Sequence, residues 1–295
     1  MRGNSQRLSE PSAPLPVVIL SAARSGSKLF RDLICSSTDC SCYPYDVNYV
    51  WKYGNYQVRH DELSPAQVDE EKKRFIREFL VRPARRDGAA IAVDKTVSNS
   101  LRVDYVRAVL PEAKIIHLIR DGRDVIPSAM DCWQKSGAST RNQDYRVMLR
   151  KVIEFPPQGW RYGLEYLRDN LGMLLGKRKH RKTWGPRFAG IDDAVATRPL
   201  VDVCALQWEH CIDRALNGLS GLVEGKDFIT VRYETLLLSA NSEIDRLVSF
   251  LGIRDAEALR AFANERFDSR NLGKWRDLAD GDLESHIETL TRPTL

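Results

Sequence analysis

Residues 15–30, LPVVILSAARSGSKLF, decide the fold. Val17-Val18-Ile19-Leu20 is a short β-branched run bounded by Pro16 and by small residues, which reads as a buried strand of the parallel kind. Ser21 to Gly26 is small and turn-like, and Leu29, Phe30, Leu33 and Ile34 then follow helical spacing. The order is strand, glycine-bearing loop, helix. A helix N-terminus offers unpaired N–H groups and the positive end of its dipole. Gly26 lets an anion approach the backbone with no Cβ in the way. Arg24 and Lys28 add full charges, and Ser25 and Ser27 add hydroxyl donors. In physical terms this is a phosphate cradle; taken alone, the segment also fits an exposed βα turn with incidental basic residues. It is not a Walker A loop: Ser21 stands where the first glycine belongs, Ser27 separates Gly26 from Lys28, and Leu29 replaces the hydroxyl that would hold Mg²⁺.

The pattern returns along the chain. Ile91-Ala92-Val93 reads as a strand, followed by Lys95-Thr96 and a helix carrying Leu101, Tyr105, Val106 and Val109. Lys114 to Ile119 is another strand, Arg120 to Arg123 a turn, and a helix is expected from about Asp124 as N-cap. Phe228 to Val231 is a late strand before a helix with Ile244, Leu247, Val248 and Leu251, closed by Gly252. Strands alternating with helices predict an α/β fold, a three-layer α/β/α arrangement around a mostly parallel sheet with a P-loop-like nucleotide site. Arg120 falls at a strand's C-terminal end, where such sheets bind ligands. Ser128, eight residues on, lies inside the next helix, and the two can converge on one phosphate. The competing reading pairs Arg120 with Asp121 or Asp124. Two such sites about 100 residues apart suit a ligand with two separate phosphates.

The rest of the chain sets bounds. Its 295 residues are 43% hydrophobic and 29% charged, with a net charge of +5, as in ordinary globular domains. That surplus is too small to mark a nucleic-acid partner but suits an enzyme that handles anions. Residues 1–14 read as a loose tail and 15–295 as one domain, with a helical, basic insertion at about 134–200 where strand signals vanish. The apolar stretch Leu15 to Ala23 falls short of the roughly 20 residues that span a bilayer. No charged segment followed by an apolar one opens the sequence, so a cytoplasmic protein is expected. Cys35, Cys40 and Cys42 form a C-x4-C-x-C cluster that lacks zinc spacing, with no histidine near it; reduced thiols and no metal are expected.

With these residues in view, a resemblance emerges. Residues 19–30 resemble the 5′-phosphosulfate loop of the sulfotransferase family, and 113–130 resemble its 3′-phosphate segment, whose hallmark is an Arg and a Ser eight positions apart. VRYETL at 231–236 is similar to a family stretch after a late strand, and GKW at 273–275 to the Gly-Lys-Trp that closes over the nucleotide. VDKTVSNS at 93–100 resembles a segment of carbohydrate-modifying members whose lysine faces the acceptor, pointing to the carbohydrate- and tyrosylprotein-modifying branch. The resemblance implies transfer of a sulfuryl group from 3′-phosphoadenylyl sulfate (PAPS) to a hydroxyl or amine, leaving adenosine 3′,5′-bisphosphate (PAP), with no metal. It implies that Arg24, Ser25, Gly26, Ser27, Lys28 and Leu29 form the donor loop, with Arg24 stabilising the leaving oxygen. It also implies that Arg120 and Ser128 hold the 3′-phosphate, Tyr233 lies near the adenine, and Gly273, Lys274 and Trp275 close the site. Ala23 replaces a usual proline and Lys28 a usual Thr or Ser, which leaves the contact of Lys28 open.

The reaction also needs a base for the acceptor proton. Asp46 comes about twenty residues after the loop, as in members with a carboxylate base, amid Tyr43, Tyr45, Tyr49 and Trp51. It is the expected base, with Glu62 and His60 as alternatives. His117 falls inside a strand and reads as core. Lys95 is expected at the sulfuryl group. The run Lys177 to Lys182, with His180 inside it, reads as a solvated surface, as a contact for an anionic polysaccharide, or as a non-specific nucleic-acid contact. A saccharide or a small hydroxylated metabolite is the expected acceptor; the sequence does not specify the oligomeric state. Two other readings stay open: a P-loop kinase using ATP, and a non-catalytic PAP-binding module of the same fold.

Overall fold

The computed structural model describes residues 13–55, 57–138, 183–277, 281–292 and 294. Its strands are β1 (Leu15–Leu20), β2 (Cys40–Cys42), β3 (Ile91–Asp94), β4 (Lys114–Ile119) and β5 (Phe228–Arg232). Among the described residues the helices are α1 (Ser27–Ile34), α2 (Asn48–Trp51), α3 (Glu70–Asp87), α4 (Val103–Val109), α5 (Gly122–Ala138) and α6 (Ile191–Thr197). Then come α7 (Leu200–Leu219), α8 (Tyr233–Leu238), α9 (Ala240–Leu251), α10 (Ala256–Arg266) and α11 (Gly281–Thr291). The strands form one sheet in the order β2-β3-β1-β4-β5, with every pair parallel.

Burial explains the β-branched run. β1 is the central strand, and its residues 17–20 are fully buried. Val17 and Ile19 point to a core shared with Phe30 and Leu33 of α1 and Leu247 of α9. Val18 and Leu20 point the other way, to Trp51 of α2, Phe79 of α3 and Val106 of α4. This period-two alternation gives two apolar interfaces, one on each face, and hence three layers. A third cluster joins α5, α6, α7 and α11 around Ile126, Trp133, Trp208 and Ile287.

From β1 the chain runs by α1 to the β2 edge; from neighbouring β4 it runs toward the β5 edge. The connections part at the C-terminal ends of β1 and β4, the switch point where open parallel sheets bind ligands.

Some boundaries differ from the sequence reading. α5 begins at Gly122, not near Asp124. Asp121 is its cap: its carboxylate accepts from the Arg123 N–H at 2.9 Å, which frees Asp124 for another partner. After β5 the helix is split into α8 and α9, with Ser239 between them. β2, α3 and α7 had no counterpart in the sequence reading. Most of the expected tail and the core of the insertion, including the basic run and His180, lie outside the described residues. The insertion's described end, with Phe188 and Ile191, packs into the third cluster. Among the described residues no helix is long and apolar enough to cross a membrane.

Candidate functional site

The loop from β1 into α1 carries two residues in the left-handed region, Arg24 (φ 71°) and Gly26 (φ 79°), and Arg24 is the one non-glycine so placed among the described residues. Strain of that kind costs on the order of 1–3 kcal/mol and gathers at binding sites. Gly26 caps α1 and is required on two counts, since a Cβ there would lie 2.1 Å from Cε2 of Tyr233 as well as forcing the positive φ. Ser25 is fully buried, and its hydroxyl has no hydrogen-bond partner among the described residues. Ser27 is buried, Lys28 exposed, and Leu29 packs against the core.

Three distant segments close on this loop. Arg24 Nε donates to Ser128 Oγ at 2.9 Å. An Arg120 guanidinium nitrogen donates to the Arg24 carbonyl at 3.3 Å, and the same guanidinium lies 4.7 Å from the ring centroid of Tyr233. Arg120 also meets Asp124 at 3.4 Å, so the competing pairing with that carboxylate is present alongside the approach to the loop. Asp124 is buried and accepts from the backbone N–H of Gly273 (2.9 Å) and of Trp275 (3.3 Å), tying the Gly-Lys-Trp segment to the start of α5. Trp275 is buried, with Arg123 4.4 Å and Arg276 4.8 Å from its ring centroid, while Lys274 is exposed. The constellation therefore joins Arg24, Gly26, Arg120, Ser128, Tyr233, Gly273 and Trp275 with a predominance of positive charge.

Just past the end of β3, Asp46 and Lys95 form an ion pair, with side chains 34% and 11% exposed. Beneath them Asp94 ends β3. Its carboxylate accepts from Trp51 Nε1 (2.9 Å), Asn99 Nδ2 (2.8 Å) and the Thr96 hydroxyl (2.9 Å). Burial pushes its pKa up to about 6 against these bonds. The network continues through Arg102, which donates to Asn99 and Asn48, and through Asn48 to Asp61. Sequence reasoning did not find Asp94, Asn99, Arg102 or Asp61; an acidic residue ending a buried strand was the one signal available for the first.

The other candidates are engaged elsewhere. Glu62 accepts from Arg214 and from the Ala189 N–H, both at 2.9 Å. His60 is half-buried, and its Nδ1 has no partner among the described residues. His117 is fully buried within β4, where burial pushes its pKa down to about 4. His210 stacks on Phe188, and His286 meets Asp202. All six cysteines are unpaired. Among the described residues no cluster of His, Cys, Asp or Glu has the makings of a metal site.

A profile of the Sulfotransferase family matches residues 16–181, more than half of the chain. The chain belongs to the sulfotransferase family. Among solved structures, it is similar to the sulfotransferase domain from the curacin biosynthetic pathway. That match has 14% identity and a TM-score of 0.50, covering 94% of this chain and 96% of that one. It is likewise similar to a sulfotransferase from Alicyclobacillus acidocaldarius, with 15% identity and a TM-score of 0.50, covering 95% of this chain and 92% of that one. Likeness at such identities speaks for the fold. No curated protein matches the sequence significantly. The matched stretch of this sulfotransferase-family chain holds Arg24, Asp46, Lys95, Arg120 and Ser128; Tyr233 and the 273–275 segment join the site through the contacts described above.

Proposed function

We propose that the protein binds PAPS across the C-terminal edge of β1 and β4 and transfers its sulfuryl group to a hydroxyl or amine. The acceptor in this reading is a saccharide or a small hydroxylated metabolite, and PAP is the product. One observation carries the reading: Arg24 reaches Ser128 while Arg120 reaches the Arg24 carbonyl. This contact supports a single cleft that takes both phosphates of one nucleotide, as do the buried Ser25 hydroxyl, which has no partner among the described residues, and the N-terminus of α1.

In this proposal Arg24, the N–H groups of Ser25 to Leu29 and the Ser25 and Ser27 hydroxyls receive the 5′-phosphosulfate. Lys28 adds charge at the rim. Arg120 and Ser128 hold the 3′-phosphate, Tyr233 flanks the adenine, and Gly273, Lys274 and Trp275 close over the nucleotide. The acceptor oxygen or nitrogen forms a bond to sulfur as the bond from sulfur to the bridging phosphate oxygen breaks. Charge develops on the leaving phosphate, where Arg24 and the helix N-terminus stabilise it without a metal. Asp46 takes the acceptor proton; Glu62 suits that role less, because both its oxygens already accept bonds. Lys95 has three donors, one directed at Asp46, and the others serve the sulfuryl oxygens. The chain works as one domain in the cytoplasm.

Incubation with PAPS and a panel of saccharides, phenols and amines, read by mass spectrometry, tests the proposal. A sulfated product and stoichiometric PAP are expected. PAP binding with no product from any acceptor would leave a nucleotide-binding module in its place.

A further inference from the structure

Lys95 lies between two buried residues, and both of them grip the segment that carries Asp46. On one side is Asp94, which holds Trp51 at the end of α2 through the indole N–H at 2.9 Å. On the other is Thr96, fully buried, which uses its hydroxyl twice. It accepts from the Val47 N–H at 3.1 Å and donates to the Asp94 carboxylate at 2.9 Å. Val47 follows Asp46 directly and is itself fully buried. The peptide that carries Asp46 and the far end of the helix that follows it are thus both fastened to the residues flanking Lys95. Asn99 closes the arrangement with a third donor to Asp94 at 2.8 Å.

We propose that Asp94 and Thr96 are positioning residues that hold Asp46 against Lys95 before any ligand arrives. The inference rests on the proposed roles of Asp46 and Lys95 and adds what orients them. The physical cause is that each bond is buried. A hydrogen bond of this kind, once broken, leaves a donor or acceptor with no water to replace its partner. Neither residue touches the donor loop in the contacts described, so their loss spares the nucleotide cradle.

The test follows Lys95 directly. The intact protein is exposed to an amine-acylating reagent, and labelling of Lys95 is compared by mass spectrometry with that of Lys114. Lys114 lies on β4, where it donates to the Phe250 carbonyl and depends on neither proposed residue. Thr96→Val keeps the volume and removes the hydroxyl, and is expected to raise Lys95 labelling about tenfold, as one lost buried hydrogen bond would. Lys114 labelling should stay constant. Thr96→Ser restores the hydroxyl and is expected to return Lys95 to its wild-type protection. Asp94→Ala should expose Lys95 further; if that variant does not fold, the Thr96 pair still decides. PAP binding, followed in parallel by thermal shift, is expected to persist in both Thr96 variants, and its absence in the wild type would count against the proposed function rather than this inference. Equal Lys95 protection in Thr96→Val and wild type, or exposure in Thr96→Ser equal to that in Thr96→Val, would overturn the proposal.

Discussion

The two sides of the proposed cleft are built in opposite ways. On the β1–β4 side the backbone is strained at Arg24, the buried Ser25 hydroxyl has no partner among the described residues, and Lys28 and Lys274 stand exposed. On the β3 side Asp46 already has Lys95, and Asp94 holds three donors. One side holds unspent donors and positive charge, the condition in which an anion is bound. The other is assembled in advance, the condition in which a proton acceptor keeps its geometry. Under the proposed function, the difference means that one side of the sheet edge holds the ligand and the other acts on it. Each should then fail separately under mutation.

The largest effect is expected at Gly26. Gly26→Ala places a Cβ in the Tyr233 ring and forces a left-handed alanine. Strain and overpacking together should lower stability by about 4 kcal/mol in denaturant titration and abolish PAP binding. Tyr233→Ala should cost less stability in the Gly26→Ala background than in wild type, because there it also removes the clash and leaves only the φ penalty. Full stability in the single variant would break the picture of a strained, tightly packed cradle.

Next comes acid. His117 pairs in register with Leu20, the last residue of β1, and its folded-state pKa of about 4 lies below the ordinary 6.5. Below pH 6.5 the unfolded chain binds a proton that the folded chain refuses. Stability from this group is therefore full above pH 6.5 and lost as pH falls through 4. The loss is about 3 kcal/mol. His117→Leu should flatten the fall in stability between pH 7 and 4 by about that amount, measured against wild type in denaturant titrations. An unchanged slope would show that His117 is not the group responsible.

A smaller effect separates the sides. Asp46→Asn should reduce sulfuryl transfer roughly a hundredfold, the scale of general-base catalysis, while PAP affinity stays within about twofold. Retained turnover would remove Asp46 as the base, and lost PAP affinity would merge the two sides that the proposed function separates.

How much of this could be read in the chain depends on distance. The β1 loop was legible because its strand, glycine and cations are contiguous. Arg120 and Ser128 were legible because they share one turn and helix. β2 was not: Cys40-Ser41-Cys42 is a strand because β3 lies beside it, and no local pattern of three small residues announces that. α3 buries Phe75, Ile76, Phe79 and Leu80 but is crowded with charge and carries Pro83, which hides its apolar stripe. The pairing of Asp46 with Lys95 and the grip of Thr96 on Val47 each join residues 49 positions apart, so only the fold reveals them.

The central claim is that the cleft takes a nucleotide with a 5′- and a 3′-phosphate. Thermal unfolding with PAP, compared with ATP plus Mg²⁺, tests it most directly. At one hundred times the dissociation constant, PAP should stabilise the protein by about 2.7 kcal/mol, with no comparable shift from ATP. A shift with ATP and Mg²⁺ alone, or no shift with PAP, would contradict the account.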